Sequence, residues 1–182
     1  MLTSKRPGAR IACALSLVLS LMFSNEAKAG TTDDILAWRT AQSTEDLVDH
    51  LERWLDRRSD WPRRAEVPDI RWIGEARAAS LSAERNAAHS GRARGFYDPD
   101  NQTIFLVRPW SARNPEDVSV LLHELAHHRQ VEAGHWYCPG AQELPAYRLQ
   151  EAWLADLGLT ADINWIAVVL EAGCTPRDFH PD

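Results

Sequence analysis

The chain has 182 residues, 45% of them apolar, with 20 basic against 26 acidic side chains and a formal net charge of −6. That is enough material for one domain with a buried core. The acidity argues against a nucleic-acid backbone or an anionic membrane as main partner, because both are met by basic surface.

The first residues read as an export signal. Lys5, Arg6 and Arg10 form a positive front, Ile11 to Phe23 is a mostly apolar run, and Ala27-Lys28-Ala29 is a small-x-small cleavage site. Residues 1–29 are therefore expected to be a signal peptide and 30–182 a single exported domain, periplasmic or secreted. The run is too short to span a bilayer comfortably and no later stretch is longer, so no stable membrane insertion is expected once the leader is gone. The leader takes Lys5, Arg6, Arg10 and Lys28 against Glu26, which leaves 16 basic and 25 acidic residues, a net charge of about −9. Cys138 and Cys174 survive this trimming, and in an oxidising compartment an even pair is a candidate disulfide.

Residues 30–69 read as an N-terminal helical part. Residues 31–42 lean towards helix. Ser43-Thr44-Glu45-Asp46 then resembles a capping box, followed by Leu47, Val48, Leu51, Trp54 and Leu55 at helical spacing. His50 falls on the polar side of that helix and is expected to be solvated. Asp56 to Asp69, with Trp61-Pro62 and Val67-Pro68, predicts a loop.

Residues 70–182 are expected to form the core around the functional site. Ile70 to Ile73 predicts a short strand and Glu75 to His89 an alanine-rich helix, with His89 at the surface. Gly95 to Val107 has the pattern of a β-hairpin, two β-favouring runs flanking Pro99-Asp100-Asn101. Its second strand leads almost directly into the next helix and is a candidate edge for an extended peptide. The fold class expected is α+β, mostly helical, with a small antiparallel sheet, the hairpin, ahead of that helix.

The next helix carries the chemistry. Asn114 is a good N-cap, Pro115 suits the first helical position, Glu116 and Asp117 put negative charge in the first turn, and Gly134 offers a left-handed stop. Within it stands His123-Glu124-Leu125-Ala126-His127. Residues four apart share a helix face, so both imidazoles point one way and can share a metal. Glu124, turned by about 100°, can reach a water on that metal without ligating it. This is the zinc-hydrolase pattern His-Glu-x-x-His.

A catalytic zinc usually takes three protein ligands and leaves a fourth position open. Glu132 is turned to another face and is a poor third ligand. Glu143 is better, at the start of a helix that Pro145 requires to begin near 141–144. Glu151 is the runner-up, and His135, His128 and Asp156 trail. His128 points away from His127 by about 100° and suits a supporting or surface role. Thr160 is expected to cap a last helix, Ala161 to Ala172, that buries Ile163, Ile166, Ala167 and Leu170, before a tail, Thr175 to Asp182, containing His180. Of the eight tryptophans, Trp54, Trp72, Trp153 and Trp165 fall in core patterns, and Trp110 and Trp136 flank the metal-binding helix.

Taken together, His123-Glu124-Leu125-Ala126-His127 and Glu143-Leu144-Pro145-Ala146-Tyr147 resemble the gluzincin branch of zincin metallopeptidases. With Tyr97-Asp98, the continuation His128-Arg129-Gln130 and Tyr137-Cys138-Pro139 they also look like small exported bacterial proteins grouped as a domain of unknown function. The resemblance covers roughly 70–153. It implies a minimal zincin-like domain with one Zn2+ held by His123, His127 and Glu143, and Glu124 as catalytic acid/base. The implied reaction is peptide-bond hydrolysis by Glu-assisted attack of a zinc-bound water on a peptide or protein substrate. One departure matters: gluzincins often carry aspartate four residues after the ligand glutamate, where this chain has Tyr147. A phenol can also hydrogen-bond, so Tyr147 is a candidate to support a ligand or the transition state. Two alternatives stand beside the hydrolase: a non-catalytic metal-binding module, and an inactive binding protein of the envelope.

Overall fold

The computed structural model describes residues 35–84 and 93–174 of the chain. The described residues all belong to one compact unit. The leader, His89 with the end of its predicted helix, and the tail with His180 lie outside the described residues. No helix among the described residues is long and apolar enough to cross a membrane.

After a 3-10 turn at Ala37–Thr40, the first helix, α1, spans Thr44–Arg58. The Ser43 hydroxyl accepts from the Asp46 amide, as a capping residue should, and the Asp46 carboxylate accepts in return from the amide of Gln42 rather than of Ser43. Strand β1, Asp69–Ile73, and helix α2, Glu75–Glu84, follow. The hairpin is present as β2, Gly95–Asp98, and β3, Thr103–Val107. Asp98 closes its turn by accepting from the Asp100 amide and the Asn101 side chain. Helix α3 spans Pro115–Ala133, α4 Glu143–Asp156 and α5 Trp165–Ala172.

The molecule is α+β, with a three-stranded sheet ordered β1-β3-β2. β1 runs parallel to β3 with Ile70 opposite Ile104, and β2 runs antiparallel with Tyr97 opposite Ile104. The sheet is therefore mixed, and β3 is its centre rather than an edge. This corrects the expectation for the strand entering α3: β1 takes its free side, and among the described residues β2 is the edge on the hairpin side. Alternation along β3 feeds two cores. Ile104 and Leu106 join the main one, and Val107 packs with Phe96 and Ala78 in a smaller one under α2.

Helix α3 is the axis of the main core. Asn114 caps it by accepting from the Glu116 amide, while Gly134 leaves it at φ 162°, an extended rather than a left-handed exit. Val118, Leu121, Leu122, Leu125 and Ala126 are fully buried against α1, the sheet and α4. Deleting one such leucine side chain costs about 2–5 kcal/mol. Polar residues on a helix enclosed this far have to be paired, since burial without partners is expensive. Arg129, fully buried, meets that demand by donating to the Glu52 and Asp56 carboxylates and to the carbonyls of Glu52 and Trp61, which ties α1 and the loop after it to the back of α3. Glu52 is buried with it; desolvation pushes its pKa up against the pull of Arg129.

Three local expectations change. His50 is buried rather than solvated, because α1 is covered on more than its apolar stripe. Trp72 is 36% exposed on β1, edge to face with Trp110, while Trp38, ahead of α1, is buried against Trp153. The last helix starts only at Trp165, capped by Asn164 accepting from the Ala167 amide, and it leaves Ile166 and Leu170 76% and 63% exposed. Two turns cannot carry a long buried stripe. This helix is held instead through Val168, an Arg148 guanidinium 4.0 Å from the Trp165 ring, and its C-terminal end.

Candidate metal centre

α3 and α4 bring three donors together. The Nε2 atoms of His123 and His127 lie 3.0 Å apart, and Glu143, first residue of α4, sets one carboxylate oxygen 3.3 Å from the first and the other 3.4 Å from the second. All three side chains are largely buried. They form the one group of three or more histidine, cysteine or acidic side chains among the described residues that could hold a metal ion. A tetrahedral zinc at about 2.0–2.1 Å from its ligands would separate them by about 3.3 Å, the scale of this triangle.

The electrostatics match the geometry. Burial works against charge on His127, but the Glu143 carboxylate outweighs it and lifts the imidazole pKa to about 9. Burial would raise the pKa of Glu143; the two imidazoles override it and hold the carboxyl far below the usual range.

Glu124 follows His123 on the next face and is buried at 5% exposure. Its carboxylate lies against the start of β2: a Cβ at Gly95 would sit 2.6 Å from Glu124 Oε1 and 2.7 Å from Val120 Cγ1. Glycine at 95 is what leaves room for that carboxylate. Tyr147, one turn after Glu143, packs its ring on His123 with centroids 4.3 Å apart, and burial raises the pKa of its phenol.

The other candidates are engaged elsewhere. His128 donates from Nε2 to the Glu66 carbonyl and accepts at Nδ1 from the Tyr97 hydroxyl, which accepts in turn from Arg64; burial keeps its pKa low. Glu132 pairs with Arg64, Glu151 with Arg148, and Asp156 with Trp54 and Arg58, while His135 is exposed. Trp136 donates to the Gln130 carbonyl, and Tyr137 is 93% exposed.

The approach to Glu143 is fixed from two sides. Cys138 and Cys174 form a disulfide that joins the entrance of a 3-10 turn, Pro139–Gln142, to the end of α5. The Glu171 carbonyl presses so close to that turn that a Cβ at Gly140 would lie 2.5 Å from it. From inside, Gln130 on α3, fully buried, bonds through Oε1 to His127 Nδ1 at 2.7 Å and donates from Nε2 to the Gln142 carbonyl at 2.9 Å.

No functional role for Gln130, Arg129 or Gly95 follows from the sequence, where Arg129 and Gln130 stand only within the run that carries the resemblance. Gln130 leaves one further signal, a polar residue three positions after His127.

No curated protein and no solved structure matches the chain. A family model described as a domain of unknown function matches residues 40–182, which include the whole triad and Glu124. The chain therefore belongs to the DUF6647 family.

Proposed function

We propose that this protein is an exported zinc-dependent metallopeptidase of gluzincin type. The observation that carries the reading is the triangle of His123, His127 and Glu143 from two helices, with the Glu124 carboxylate buried beside it on a neighbouring face. Zinc, when bound, supplies the Lewis acid that polarises a peptide carbonyl and acidifies water. Glu124 takes the proton of the attacking water and returns it to the leaving amine. The ring of Tyr147 packs on that of His123 and helps to hold it in place. An extended substrate has β2, an edge strand among the described residues and next to Glu124, as a backbone partner.

A non-catalytic metal module is the competing reading. A purely structural zinc closes its fourth position with another protein ligand, whereas the group here has three members among the described residues. Zinc titration and broad peptide-substrate profiling of the mature chain, with and without chelator, separate the two. Glu124→Gln is expected to bind zinc like the wild type and to lose hydrolysis by a factor of roughly 10² to 10⁴. Undiminished hydrolysis by that variant removes Glu124 from the mechanism, and a wild-type chain that binds zinc but cleaves nothing leaves the module.

A further inference from the structure

Resting on that metal centre, the geometry points to Gln130 as the positioning residue that couples two of its ligands, setting both the ring tautomer of His127 and the placement of Glu143. The argument starts from a group with no choice. A backbone carbonyl only accepts, so the end of the Gln130 amide 2.9 Å from the Gln142 carbonyl has to be the NH2. The other end, 2.7 Å from His127 Nδ1, is then the oxygen, and it requires a hydrogen on Nδ1. In the neutral ring a proton on Nδ1 leaves the lone pair on Nε2, the atom that faces His123 and Glu143.

The second effect runs along the chain. Gln142 immediately precedes Glu143, so the bond that orients the amide also anchors the backbone from which the third ligand projects. One side chain therefore spans both ligand-bearing segments, α3 and the entrance of α4. Its complete burial excludes water as a substitute for either bond. Packing alone does not account for this: an apolar residue of the same length fills the space, but it leaves the His127 N–H and the Gln142 carbonyl buried without partners.

The test compares Gln130→Met, which keeps length and loses both bonds, with Gln130→Glu, which keeps an acceptor for His127. The readouts are zinc affinity by chelator competition and the visible spectrum of the Co2+-substituted protein, neither of which needs activity. Gln130→Met is expected to bind zinc about 10- to 100-fold more weakly, with altered Co2+ bands, and Gln130→Glu more tightly than Gln130→Met. A Met variant with wild-type affinity and spectrum overturns the proposal, and so do Met and Glu variants weakened alike, since an acceptor for His127 Nδ1 then makes no difference. Should the Met variant fail to fold, the imidazole nitrogen resonances of zinc-loaded wild type decide: a proton on His127 Nδ1 sustains the assignment, and one on Nε2 overturns it. Failure of the wild type itself to bind zinc is a separate result, which overturns the metal centre and the role of Gln130 together.

Discussion

Replacing Gly95 with alanine tests whether the acid/base is held where the structure puts it. The residue does not need glycine for its backbone, since Gly158 is the only described glycine with φ in the left-handed range. What it needs is space: the added methyl would meet Glu124 Oε1 at 2.6 Å, Val120 Cγ1 at 2.7 Å and Glu124 Cγ at 3.0 Å. Ordinary contact begins near 3.4 Å, so the carboxylate has to retreat by about 0.8 Å. The carboxylate is the flexible end, and it moves before the strand does. Overpacking of this kind costs about 1–3 kcal/mol of stability, which a folded domain of this size tolerates. The same shift at a reacting group costs about 10²-fold in rate. None of the three nearest atoms belongs to His123, His127 or Glu143, so zinc affinity should stay within a few-fold of wild type. The assay is zinc titration followed by kcat on the best peptide from the profiling screen. A variant that binds zinc normally and cleaves at the wild-type rate would show that hydrolysis does not depend on a carboxylate in this slot.

Two further outcomes follow from the same geometry. Zinc has to displace the proton that His127 holds up to about pH 9, so apparent affinity should rise roughly tenfold per pH unit below that value and level off above it. Chelator competition between pH 6 and 10 measures this, and a flat profile contradicts it. In the metal-free protein the sign for stability is opposite: a raised imidazole pKa contributes fully below the ordinary 6.5, and that contribution is lost as pH rises through about 9. Melting of chelator-treated protein across this window should show the decline. The disulfide closes a loop of 36 residues in sequence separation, worth about 4 kcal/mol in the chain-entropy picture. Replacing both cysteines with serine should lower Tm by roughly 8–16 °C and weaken zinc binding, because the turn ahead of Glu143 loses one of its two anchors; unchanged zinc affinity would place the burden on Gln130 alone.

Much of this protein is local in origin and so was legible in the chain. The helix carrying His123 and His127 follows from its cap, its first-turn charge and its spacing. Pro145 fixes where α4 begins, because a proline cannot sit deeper without costing a bond. The hairpin and the cysteine pair are likewise properties of short segments and of residue type. Where a long-range contact decides, the sequence had no voice. A β-favouring run after the Pro99-Asp100-Asn101 turn gave β3 as a strand but not its neighbour on the far side, so it could not show that β1 pairs parallel to it and leaves β2 as the edge on the hairpin side among the described residues. The face buried by α5 depends on a disulfide and a cation stacked on Trp165 rather than on its own periodicity. The groups that refine the site, Gly95 under Glu124 and Gln130 between His127 and Gln142, act on partners from 3 to 29 residues away along the chain. One-dimensional spacing specifies which side chains share a helix face. Which backbone or strand then closes on that face is set only when the core packs.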